Sequence, residues 1–167
     1  MDDLTTGSRQ HQAVLRGYVQ RLYDLAGNLD DESLGTPGLL SEEGDLKDLL
    51  DGLRGTLLPH MDALEVAVVP TLSRITAGHP AGAPMAHEHH DMRRLVDQIG
   101  AVVDQPEGDL DRYSVLSLRR AMLRLHVLLR THLDEEDLYL PILEGPLSPE
   151  AEAELGRALD HLAAARM

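Results

Sequence analysis

Five residues in the chain have the types and the spacing to hold a metal ion: His11, His60, His89, His132 and Glu136. The clearest case is the stretch from Leu118 to Leu143. There Leu118, Met122, Leu125, Leu129, His132, Glu136, Tyr139 and Leu143 recur at alternating steps of four and three. That pattern is the buried stripe of an amphipathic helix. A histidine and a glutamate one turn apart project side by side from one helix face. On a face that meets the core, an imidazole and a carboxylate are costly to bury unless something pairs with them. A bound cation is one such partner. One histidine on an apolar stripe is normally a core residue with a single hydrogen-bond partner. Four in equivalent positions, with a carboxylate beside the last, point instead to a shared ligand. Imidazole and carboxylate donors suit iron, manganese or zinc better than copper(I) or magnesium.

Each of the other three histidines lies on its own helical stripe. Ser8 is a plausible cap for a first helix carrying His11, Leu15, Tyr18, Leu22, Leu25 and Leu29 to about Asn28, with residues 1–7 as a loose end. A Gly-, Pro- and Asp-containing connection follows. A second helix is expected from near Ser41 through Leu46, Leu49, Leu53, Leu57, His60, Leu64, Ala67 and Thr71. Pro59 and Pro70 lie inside it, and an interior proline costs about 3 kcal/mol and kinks the helix. The GHPAGAP segment (78–84) breaks the chain before a third helix with Met85, His89, Met92, Val96, Ile99 and Val103 on one face. The fourth helix ends near Pro141 or Glu144. Ser148-Pro149-Glu150 has the form of a helix start, giving a short fifth helix to about Ala164.

The expected fold is therefore all-α: an antiparallel up-down-up-down four-helix bundle with a short C-terminal fifth helix. It forms one domain over residues 1–167, with a bundle core at about 8–144 and the last helix at about 148–165. In that topology the starts of helices one and three share an end with the finishes of helices two and four. At about 1.5 Å rise per residue, all four histidines reach a similar level.

Composition narrows the function classes. The 167-residue chain carries a net charge of −14, which repels nucleic acids and anionic membranes and attracts cations. It has no cysteine, so a thiolate metal site, a disulfide and a catalytic thiol are excluded. Four Tyr with no Phe or Trp leave a core of Leu, Val, Ala and Met, which favours helices. No apolar run reaches membrane-spanning length, and a cytoplasmic location is expected.

Three segments, LLPHMDALEVAVVP, MAHEHHDMRRLV and LLRTHLDEEDLYLP, make the chain resemble the hemerythrin-like, or HHE cation-binding, family over about residues 8–144. The resemblance implies a non-haem di-iron centre, and this chain's departure at Leu64 leaves one or two iron ions as the expectation. It carries one histidine on helix one, H-x-x-x-E on helix two, histidine on helix three and H-x-x-x-E on helix four. By position His11, His60, His89, His132 and Glu136 match. One position departs: Leu64 stands where the helix-two glutamate belongs. Glu65 follows, about 100° further around a regular helix. It reaches the site only if the helix is distorted near Pro59 or Pro70. Further candidate ligands are His126, Asp137 and Tyr139, with His126 read first as a histidine at the edge of the stripe. The implied partners are O2, peroxide or NO. The apolar Leu64 leaves coordination positions open, which favours turnover of small oxidants over oxygen storage. Two other functions fit the same pattern: an iron- or oxygen-responsive module, and an interaction bundle that has lost its metal.

Overall fold

Helix one, Asp2–Asn28, starts well before Ser8. It tolerates Gly7 at a cost of about 1 kcal/mol. The computed structural model describes residues 2–29, 38–70, 83–105 and 111–143, and every element among them is helical. Helix three is Ala83–Val103 and helix four is Arg112–Leu143. Helix four begins earlier than its apolar stripe because Asp111 caps it: the Asp111 carboxylate accepts from Ser114 N at 2.7 Å and from Ser114 Oγ at 2.8 Å. The segment expected as a fifth helix lies outside the described residues, as do the loops at 71–82 and 106–110.

The second element is one helical rod over 38–70, and it accommodates its prolines by local widening. An α-helical run, Gly38–Gly52, passes into a π segment, Leu53–Leu57, then an α segment, Leu58–Ala63, then a second π segment, Leu64–Val68. Each π segment ends two residues before a proline, Pro59 or Pro70. A proline has no N–H to give the carbonyl four residues back, and its ring collides with that carbonyl. A π turn closes on the fifth residue instead, as in Leu58 N–H donating to Leu53 O, and so moves the obstructed carbonyl aside.

Neighbouring helices touch in opposite numerical order. On helices one and four, Gln12 meets Glu136 and Val19 meets His126. On the rod and helix three, Arg54 meets Asp104 and Glu65 meets His89. The core between them is a leucine-rich column, with Leu15, Leu22, Leu49, Leu53, Leu57, Met92, Leu95, Met122, Leu125 and Leu129 fully buried. Each such side chain contributes about 1.5–3 kcal/mol on burial. The histidines lie above this column, at the end where helices one and three begin.

Two glycines of the rod make a direct test of its packing. A Cβ added at Gly52 would lie 2.5 Å from Tyr18 Oη, whereas one added at Gly55 meets nothing within 4 Å. Gly55→Ala is expected to raise the urea unfolding free energy by about 0.5–1 kcal/mol. Gly52→Ala should lower it, because Tyr18 must leave its seat against the core. Equal effects in urea titrations would contradict this packing.

Candidate metal centre

Glu136 is the hub of the histidine end. It is 6% exposed, and both of its oxygens are engaged. With the carboxylate ionised, Oε1 accepts from His60 Nε2 at 2.6 Å and from His132 Nε2 at 2.8 Å. Oε2 accepts from Gln12 Nε2 at 3.0 Å. These partners come from helix one, the rod and helix four itself. Burial pushes the Glu136 carboxyl up, but the hydrogen bonds from His132 and His60 outweigh it and hold the group well below the usual carboxylate range. The carboxylate therefore keeps its charge in a dry setting.

His60, His132 and Glu136 offer three ligand atoms that all lie within 4.8 Å of one another, and all three residues are buried. A single ion with bonds of about 2 Å can span such a set. The donor chemistry fits a borderline cation: two neutral nitrogens and one anionic oxygen, with lone pairs exposed once a cation displaces the bridging protons.

Two further histidines line the same space. The His11 ring lies 4.9 Å from the His60 ring, centroid to centroid. His89 is fully buried, and its Nε2 faces His132 Nε2 at 3.4 Å. Its other nitrogen, Nδ1, donates to Glu65 Oε1 at 2.9 Å. Burial, reinforced by His132, pushes His89 down to about 4, so its ring is neutral. With the proton on Nδ1, the Nε2 lone pair points inward.

Carboxylates stand behind two of these rings. Glu65 backs His89, reaching helix three from the second π segment, where widening turns it back toward that neighbour. Burial pushes the Glu65 carboxyl up, but the hydrogen bonds from Arg93 and His89 bring it below its ordinary value. Glu88 Oε2 lies 3.7 Å from His132 Nδ1, and neither atom has a hydrogen-bond partner although both are buried. Burial and then the charge of Glu135 push the Glu88 carboxyl up. A carboxylate behind a ligating histidine fixes its tautomer and ring orientation.

The remaining sequence candidates are placed elsewhere. His126 Nδ1 donates to Val19 O at 2.9 Å and its ring stacks near Tyr23, so it ties helix four to helix one. Asp137 points outward to Arg16 at 2.6 Å, beside Asp134 at 3.1 Å. Leu64 is half-buried, and the Tyr139 side chain lies outside the described residues. Sequence reasoning missed Gln12 and Glu88, and it read Arg93 as a surface salt-bridge partner for the acidic excess, which its pairs with Asp62 and Glu65 bear out. A polar residue three before Leu15, on the buried face of helix one, was the available signal for Gln12. Glu88 and the partners of Arg93 become visible only once helix three faces the rod and helix four.

A family model, the hemerythrin HHE cation binding domain, matches residues 5–143. No curated protein and no solved structure matches the chain.

The geometry separates two histidines on one helix. His132→Ala is expected to cut bound metal sharply in freshly purified protein, since it removes a donor and leaves the buried Glu136 with one partner fewer. His126→Ala should leave metal content near the parent's and reduce only thermal stability. The reverse order, by elemental analysis, would contradict the placement of both residues.

Proposed function

The chain belongs to the hemerythrin HHE cation-binding family, and we propose that it is a cytoplasmic non-haem iron protein, an antiparallel up-down-up-down bundle whose centre reacts with small oxidants such as peroxide or NO. One observation carries this reading: a buried, ionised carboxylate, Glu136, shared by the Nε2 atoms of two buried histidines at 2.6 and 2.8 Å. The net charge of −14 favours cation capture over binding to nucleic acid or membrane. Among the described residues, no helix is long and apolar enough to cross a membrane.

The residues divide the work by chemistry. Glu136 offsets positive charge, and His60 and His132 add neutral nitrogen donors. His89 and His11 stand close enough to add a donor or to steer a small ligand. Met61 and Leu133, both fully buried, exclude bulk water beside the cluster. Iron bound here would supply one-electron redox chemistry in a low-dielectric setting. Leu64 contributes no oxygen where the family pattern has a glutamate, so fewer positions are taken by protein donors. That favours reaction with an incoming small molecule over stable storage.

Iron-loaded protein should consume peroxide, or change its visible spectrum with NO, and Glu136→Ala should abolish both responses. A stable and reversible oxygenated spectrum in the wild-type protein would contradict the proposal.

A further inference from the structure

Glu65 follows Leu64, the position where the family pattern has a glutamate, and its contacts give it a different task, an inference that rests on the metal-binding reading above. Its Oε1 accepts from His89 Nδ1 at 2.9 Å and from Arg93 Nη1 at 2.8 Å. Arg93 is anchored a second time, through Nη2 to Asp62 Oδ1 at 2.6 Å, so the rod holds it at two points. The carboxylate meets His89 on the side of the ring away from the centre, since His89 Nε2 faces His132 Nε2 at 3.4 Å. The two nitrogens of an imidazole point in nearly opposite directions, so the whole ring separates Glu65 from an ion bound at Nε2. A carboxylate beside a guanidinium is ionised and only accepts hydrogen bonds. His89 Nδ1 must then carry the proton, which leaves the lone pair on Nε2. His132 lacks such a lock: its Nδ1 has no hydrogen-bond partner, and Glu88 Oε2 stands 3.7 Å away.

We propose that Glu65 is a positioning residue and not a metal ligand: held by Arg93, it locks His89 in the tautomer that offers Nε2 to the centre and, by its charge, makes that nitrogen a stronger donor. A hydrogen bond from a ligating histidine to a carboxylate raises the basicity of the ligand. A more basic donor stabilises iron(III) over iron(II), so the pair lowers the reduction potential of a bound iron. The carboxylate acts through the imidazole instead of through a bond to the ion.

The test separates the hydrogen bond from the charge. Glu65→Gln keeps an oxygen for His89 Nδ1 and Arg93 but loses the charge, and Glu65→Leu loses both. In metal-free full-length protein, ring nitrogen shifts measured by NMR should place the His89 proton on Nδ1 in the wild type and in Glu65→Gln. Glu65→Leu should show both tautomers. In iron-loaded protein, Glu65→Gln should raise the reduction potential while bound iron per chain stays at the wild-type value. An unchanged potential in Glu65→Gln overturns the proposal, and so does a His89 proton on Nε2 in the wild type. A loss of iron from Glu65→Gln as severe as from His132→Ala would make Glu65 a ligand and overturn it as well. Should Glu65→Leu not fold, the potential of Glu65→Gln and the wild-type tautomer decide. A wild type that binds no iron while its His89 proton sits on Nδ1 defeats the metal reading, and the donor role of His89 with it.

Discussion

A carboxylate kept charged inside the bundle is the constraint to which the rest of this structure answers. An isolated buried carboxylate would either take up a proton or destabilise the fold by several kcal/mol. Glu136 does neither because three hydrogen-bond partners from three helical elements converge on it. Helix one supplies Gln12, the rod supplies His60, and helix four supplies His132 one turn before the glutamate. The same contacts that satisfy the charge fix how these elements meet at the histidine end. The leucine column below needs no such precision, since apolar packing is non-directional. Specific geometry is thus concentrated where a cation would bind.

Support for that geometry extends outward by one layer. Glu65 backs His89, Glu88 faces the outer nitrogen of His132, and Arg93 fastens Glu65 to Asp62. The exposed pairs in this layer, such as Arg16 with Asp134 and Asp137, contribute little to stability by themselves. The prolines of the rod belong to the same design. Pro70 follows the π segment that carries Glu65, and Pro59 follows the π segment that precedes His60. Widened turns of this kind commonly occur at functional sites within helices.

Much of this was legible in the residues alone. The four-three spacing marked the four helical stripes and put His60, His89, His132 and Glu136 on their inner faces, because burial and helical period are local properties of sequence. The proline effect was readable as a distortion but not as its form, two π segments that each end two residues before a proline. Helix starts were read too late at Ser8 and Leu118; at helix four the Asp111 cap extends the helix beyond its apolar stripe. Gln12 and the particular partners of Arg93 escaped notice for a different reason. Each matters through a partner more than twenty residues away in sequence, and no local pattern encodes which carboxylate it will meet. Asp137 and Glu65 show the limit of spacing rules. One lies at a ligand-like interval yet faces Arg16, and the other lies off the regular face yet reaches His89.

The most direct test of this account is anomalous scattering at the iron absorption edge from crystals of the iron-loaded protein. The account predicts an iron peak beside His60, His132 and Glu136. A peak only at a different set of residues, or none in the iron-loaded protein, would contradict it.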